Sequence, residues 1–187
     1  MIRISAKEKN SIDIALEALS DKKIIAYPTD TIYGIGTDID NDYGIDRINN
    51  LKKRSQPMSI VISDIKIIEH KVLIAKNLKK EIQKIITSGD TCIVEYIEKS
   101  FNNKITQDGK IGFRVPNHPF LKKLLNKYNK PITTTSINET GDSPLVNPDE
   151  IEKKFGNKID LLIDDGIINN RPSSIYLFDN ENFKKIR

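Results

Sequence analysis

The segment Tyr27-Pro28-Thr29-Asp30-Thr31-Ile32-Tyr33-Gly34-Ile35-Gly36 follows a short apolar run, Ile24-Ile25-Ala26. Hydroxyls both donate and accept hydrogen bonds, and glycine lets backbone approach a ligand closely. A buried strand that empties into such residues delivers its backbone to a small polar ligand. A second set is cationic. Lys52-Lys53-Arg54 ends an apolar-periodic stretch, before a loop broken by Pro57. Cations there can simply offset the helix dipole. They can also clamp phosphates, Arg as a planar fork and Lys as a point charge.

Two further segments stand out. Gly112-Phe113-Arg114-Val115-Pro116 sets one Arg inside an apolar strand. Such an Arg either pairs with a carboxylate, with Asp30 available, or meets an anionic ligand. Pro131-Ile132-Thr133-Thr134-Thr135-Ser136-Ile137-Asn138 reads as a solvated sheet face, or as a strand that presents Ser136 and Asn138 on one side to a phosphate or a base edge. Asp164-Asp165-Gly166 and Arg171-Pro172-Ser173-Ser174 read as turn chemistry before a strand.

Several chemistries are absent. No Gly-x-x-x-x-Gly-Lys-Ser/Thr loop occurs, and Gly34-Ile35-Gly36 lacks the third glycine of a dinucleotide fingerprint. His70 and His118 stand alone in the sequence, which makes neither a zinc site nor a triad. The single cysteine, Cys92, lies in an apolar run and reads as a core thiol.

The elements that must position these residues alternate between short strands and amphipathic helices, an α/β pattern. Helices are expected over Ser11–Leu19, Asp42–Leu51 with Asp42 as cap, Asn77–Thr87, His118–Tyr128 and Asp149–Phe155. Strands are expected at Ile24–Tyr27, Ser59–Ser63, Thr91–Ile97, Ile111–Val115, Ile132–Thr135, Ile159–Ile163, Ser174–Phe178 and Phe183–Ile186. The irregular stretches Ile97–Lys110 and Asn138–Pro148 are long enough to be functional. The 187 residues suit one domain, 1–187, with a mixed rather than all-parallel sheet. A hydrophobic content of 37% and no apolar run of spanning length point to a protein of the cytoplasm, away from membranes. The net charge of +4 permits an anionic partner, although abundant Lys, Ile and Asn also fit an AT-rich genome.

Taken in order, these segments resemble the YrdC family of threonylcarbamoyl-AMP synthases. The family pattern Pro-Thr-Asp/Glu-Thr-x-Tyr-Gly-Leu is met by Pro28 to Ile35. Lys-x-Arg is met by Lys52 to Arg54, Arg-x-Pro by Arg114 to Pro116, and Ser-Ala-Asn by Ser136 to Asn138. Asp-Gly-Gly corresponds to Asp164 to Gly166, and Ser-Thr-Ile to Ser173 to Ile175. The resemblance covers nearly the whole chain and fits the short form without an added C-terminal domain. It implies a twisted mixed sheet flanked by helices, with a concave basic cleft. It also implies a reaction: L-threonine, bicarbonate and ATP give threonylcarbamoyl-AMP and pyrophosphate. A transferase complex then uses that product to modify tRNA.

By position, the resemblance assigns L-threonine to Thr31 and Arg114, with Thr134, Ser173 and Ser174 lining the pocket. Lys52 and Arg54 grip the ATP phosphates as the catalytic pair. Lys110, Ser136 and Asn138 contact the nucleotide, with Pro144 nearby. Mg²⁺ accompanies ATP, with no ligands assignable. Three departures stand out: a shorter loop at Ser55-Gln56-Pro57-Met58, Ile137 in place of alanine, and Asp165 in place of glycine. Two other readings are open to the sequence. One is a non-catalytic module of the same fold that binds double-stranded RNA or tRNA, and weak RNA binding is compatible with the enzyme too. The other is a carbamoyl-transfer domain like that of hydrogenase maturation proteins, which the single cysteine disfavours.

Overall fold

The computed structural model describes residues 1–53, 57–98, 100–101, 103–179 and 181–187. The elements in chain order are β1 (Ile2–Ser5), α1 (Ser11–Ser20), β2 (Ile25–Tyr27), β3 (Gly34–Gly36), α2 (Asp42–Lys52), β4 (Ser59–Val61) and β5 (Val72–Leu73). Then come α3 (Lys79–Thr87), β6 (Thr91–Tyr96), β7 (Thr106–Gln107), β8 (Lys110–Arg114), α4 (Pro119–Tyr128), β9 (Ile132–Ser136) and α5 (Pro148–Phe155). The chain ends with β10 (Leu161–Asp164), β11 (Ile175–Phe178) and β12 (Phe183–Lys185). One mixed sheet joins them in the order β1-β10-β2-β3-β9-β4-β8-β6-β11-β12. β5 and β7 are attached to β6 and β8. β4 runs parallel to β8 but antiparallel to β9, so the expected mixed sheet is present.

Alternation along the strands sorts side chains to two faces. On one face Ile24, Ala26, Ile35, Ile60, Ile111 and Phe113 bury against α2, α3 and α5, through Ile45, Ile48, Ile82, Ile85, Ile151 and Phe155. On the other face Ile25, Tyr27, Val61, Ile132 and Ile163 bury against α1 and α4, through Ala15, Leu19, Phe120, Leu121 and Leu124. Those two helices do not cover the whole second face. Beyond them it carries Ser59, Lys110, Gly112, Thr134 and Ser136, all only partly buried. This uncovered half is where the polar motifs lie.

Two local expectations change. Asn41 rather than Asp42 caps α2, its Oδ1 accepting from the Gly44 amide at 3.0 Å. The Gly34-Ile35-Gly36 stretch is strand β3, between β2 and β9, and not a ligand loop. Its glycines make room for neighbours. A Cβ at Gly36 would fall 1.8 Å from the Thr133 carbonyl oxygen, and one at Gly34 would fall 2.9 Å from the Tyr27 ring.

Candidate active site

The β2–β3 connection is locked by one hydroxyl. Thr29 is buried, and its Oγ1 donates to the Ile32 carbonyl at 2.6 Å while accepting from the Thr31 amide at 3.1 Å. It also lies 3.0 Å from Thr31 Oγ1. Thr31 Oγ1 accepts from Arg114 Nη1 at 3.1 Å, since guanidinium only donates. The Thr29 proton is committed to Ile32, so the Thr31 proton must go to Thr29.

Arg114 ends β8 and is buried. Its Nη2 donates to Asp30 Oδ1 at 2.7 Å, and the Asn117 amide reaches the same oxygen at 3.1 Å. Asp30 is thus the carboxylate partner, and it aims the guanidinium. Arg114 Nε is buried with no hydrogen-bond partner, so one donor remains to be met. Gly89 completes this corner. It has φ +78°, and a Cβ there would lie 2.3 Å from Asp30 Oδ2. The turn between α3 and β6 must therefore be bare for Asp30 to reach Arg114.

Ser173 and Ser174 stand at the neighbouring strand ends. The Ser174 amide donates to Asp90 Oδ1 at 2.7 Å, and Ser173 Oγ is 3.3 Å from Thr91 Oγ1. Arg187, which the sequence reading did not single out, returns here through the β11–β12 hairpin and donates to the Ser173 carbonyl at 2.9 Å. Partial burial, then the nearby Arg114 charge, pull the Arg187 pKa down, which marks a locally positive corner. Only the hairpin register brings Arg187 here, and no local motif signals that.

A second cluster surrounds Lys52. This residue ends α2 and is 2% exposed. Its Nζ donates to Ser136 O at 2.6 Å, Asn138 O at 3.0 Å and Asn138 Oδ1 at 2.7 Å. Ser136 Oγ donates to the same Asn138 Oδ1 at 2.7 Å, while Asn138 Nδ2 donates to the carbonyls of Glu139 and Asp142, each at 2.8 Å. The ammonium group therefore shapes the turn after β9 from beneath. Pro144 lies further along that turn, which closes as the Leu145 amide donates to Ile137 O at 2.9 Å. Ile137 is fully buried in the core, so its departure from alanine does not narrow the open face. Arg54, Ser55 and Gln56 lie outside the described residues.

Register relates the two clusters. Arg114 aligns with Val61, and Val61 with Ile132; Ser59 aligns with Thr134. Continued along the strands, this alignment sets Lys110 level with Ser136, four residues from the Arg114 row. That is about 13 Å at the usual strand rise. The open face thus has an Arg114–Thr31 end and a Lys110–Ser136–Asn138 end, with Thr134 between them. Thr133 points the other way and is fully buried, its Oγ1 donating to Thr37 O, so alternate residues of β9 face the open side and the core.

His118 is not alone in space. Its Nε2 lies 3.1 Å from Asp165 Oδ2, and its buried Nδ1 has no partner. Tyr33 Oη accepts from the Asp165 amide at 2.9 Å and donates to Gly166 O at 2.8 Å. Burial, reinforced by the two neighbouring aspartates, pushes the Tyr33 hydroxyl up to about 12. Cys92 is buried, and desolvation pushes its thiol up to about 12, as a core thiol should behave. Among the described residues, no group of three or more His, Cys, Asp or Glu side chains is arranged to hold a metal, and no helix is long and apolar enough to cross a membrane.

Comparison with known proteins finds relatives along most of the chain. The family Sua5/YciO/YrdC, described as telomere recombination, matches residues 17–187. A threonylcarbamoyl-AMP synthase of Photorhabdus laumondii is 31% identical over 177 residues, covering 92% of this chain and 94% of its own length. Escherichia coli YciO superposes with a TM-score of 0.88 at 20% identity, over all of this chain and 92% of its own. Pyrococcus abyssi Sua5, solved in complex with L-threonine, gives 0.81 at 23% identity; this chain spans 56% of that one. The chain belongs to the Sua5/YciO/YrdC family, and its α/β fold is the fold of YciO and Sua5.

Proposed function

We propose that this protein is a threonylcarbamoyl-AMP synthase that consumes L-threonine, bicarbonate and ATP and releases pyrophosphate. The observation that carries the reading is the open sheet face, with a carboxylate receptor at one end and a hydroxyl–amide–lysine cluster about 13 Å away along the strands. An amino-acid adenylate laid along β8 and β9 fits that span.

At the first end Arg114, aimed by Asp30, is the cation that takes the threonine carboxylate. Thr31 Oγ1, held beside the guanidinium, accepts a hydrogen bond from the threonine ammonium or hydroxyl. Thr134, Ser173 and Ser174 line this end. At the second end Ser136 and Asn138 hold the nucleotide, with Lys110 and Pro144 beside them. Lys52 acts there mainly by fixing the Ser136–Asn138 turn, because its donors already face protein oxygens. Arg54 is the phosphate clamp of this reading, and Arg187 adds positive charge at the amino-acid end, beside Ser173.

The threonine ammonium loses a proton, and its nitrogen bonds the bicarbonate carbon with loss of water, giving a carbamate. A carbamate oxygen then bonds the α-phosphorus while the bond to the β-phosphate bridging oxygen breaks. Negative charge builds on the phosphoryl oxygens and the departing pyrophosphate, and fixed cations offset it. No side-chain nucleophile is needed. The described residues offer no carboxylate cluster for a divalent ion, so Mg²⁺ would be held chiefly by the ATP phosphates. The product passes to a threonylcarbamoyl transferase complex acting on tRNA. The test is pyrophosphate release from ATP, with threonine and bicarbonate omitted in turn. Omitting either should abolish release; release that ignores threonine would refute the reading.

A further inference from the structure

We propose that His118 and Asp165 are positioning residues for the amino-acid end of the site: together they hold the 166–172 strap against the Asp30–Thr31 backbone. The inference rests on the synthase reading for its kinetic consequence, but its structural half stands apart from it.

The strap has no regular secondary structure and is largely exposed, so it has little packing of its own to fix it. Ile168 ties it to the turn before α5, its amide donating to Val146 O at 3.0 Å and its side chain half-buried against the core, and three further ties hold it. In the middle, the Asn170 amide donates to Thr31 O and Asn170 Nδ2 donates to Asp30 O, each at 3.1 Å. These two carbonyls belong to the residues whose side chains orient Arg114. At the far end, the Ser174 amide is held by Asp90. At the near end, Gly166 turns the chain with φ +77°, and the backbone on either side of that turn is tied to Tyr33 Oη.

Asp164 Oδ1 also accepts from the Gly166 amide at 2.8 Å, and the His118–Asp165 contact adds a tie from outside the sheet, joining positions 47 residues apart. A carboxylate only accepts, so Nε2 carries the hydrogen of this contact. Nδ1 is buried without a partner, so the ring's polar contact within the protein is the one to Asp165. His118 also precedes α4, whose first residue is Pro119, and the adjacent Asn117 amide donates to Asp30 Oδ1. The pair therefore links both segments that flank Asp30. Loosening it lets the near end of the strap shift, and through Asn170 that shift reaches the peptide between Asp30 and Thr31. The nucleotide end, on the other side of Thr134, is not touched.

The experiment compares Asp165→Ala, His118→Leu, the double variant and the conservative Asp165→Asn, which keeps an acceptor. Asp165→Ala and His118→Leu should each raise the threonine KM about fivefold to tenfold, with kcat and the ATP KM within about twofold of native. The double variant should be no worse than either single one, and Asp165→Asn should stay within about twofold of native. Hydrogen exchange at the Asn170 amide should quicken in Asp165→Ala and His118→Leu but not in Asp165→Asn. Unchanged threonine KM would overturn the proposal, as would threonine and ATP KM values rising in parallel, the mark of a merely structural loss. If the native protein shows no threonine-dependent pyrophosphate release, the synthase reading fails, and the exchange result alone decides whether the pair anchors the strap.

Discussion

β8 and β9 show the two faces of one sheet at single-residue spacing. On β8, Ile111 and Phe113 are buried in the larger core, while Lys110 and Gly112 between them face the open side and Arg114 ends the row there. On β9, Thr133 is fully buried and ties β9 to Thr37, whereas Thr134 and Ser136 stand on the open side. The covered face spends its residues on packing. The open face spends its residues on groups that a core would not tolerate without partners. The lesson is that a substitution's effect here follows its parity along the strand more than its chemical type.

This contrast can be broken or sharpened by substitution. The largest effect is expected from Arg114→Ala. It removes the carboxylate receptor and strands Asp30, and kcat/KM for threonine should fall by about 100-fold or more. Threonine titration against a fixed ATP concentration checks this; an unchanged threonine dependence would make Arg114 structural.

Lys52→Met comes next. It strips one donor group from three protein oxygens around the Ser136–Asn138 turn, and should cost about 2–4 kcal/mol of stability. The ATP KM should rise more than the threonine KM, measured by denaturant titration and two-substrate kinetics. Ile137→Ala tests the opposite face. A fully buried isoleucine should cost about 2–4 kcal/mol with both KM values unchanged. A changed ATP KM would mean that Ile137 shapes the site after all.

Gly89→Ala is a smaller perturbation at the boundary between the faces. It combines a strained φ with a collision against Asp30, and should cost about 1–3 kcal/mol and raise the threonine KM. In an Asp30→Gly background the kinetic part of that cost should vanish. The smallest effect concerns Cys92, on the covered face. Its thiol has a folded pKa of about 12 against an ordinary 9.0, so the folded state holds its proton more tightly than the unfolded state. The stability this contributes is intact below pH 9.0 and declines as pH rises from 9.0 toward about 12. Alkylation of native protein at pH 8 should be slow, as measured by mass shift; rapid labelling would place Cys92 on the open side.

Much of this arrangement was legible in the sequence. Apolar runs gave the interior strands, and Thr31, Arg114, Ser136 and Asn138 announced themselves as polar residues at strand ends. β3 was not legible, because Gly34 and Gly36 carry no side chain to show an alternation; their reason is the Thr133 carbonyl and the Tyr27 ring beside them. The cage around Lys52 was hidden because two of its three acceptors are backbone carbonyls, which every residue possesses. The His118–Asp165 contact and the return of Arg187 to Ser173 join residues distant in sequence, and only the completed sheet supplies their proximity.

The central claim is that one open face joins an amino acid, through one carbon from bicarbonate, to AMP. Supplying ¹³C-bicarbonate with ATP and L-threonine and resolving the products by mass tests it most directly. The account predicts an adenylate that contains threonine and gains the mass of the labelled carbon, formed alongside pyrophosphate and lost in Arg114→Ala. A threonine adenylate without the labelled carbon, or pyrophosphate without any adenylate, would contradict it.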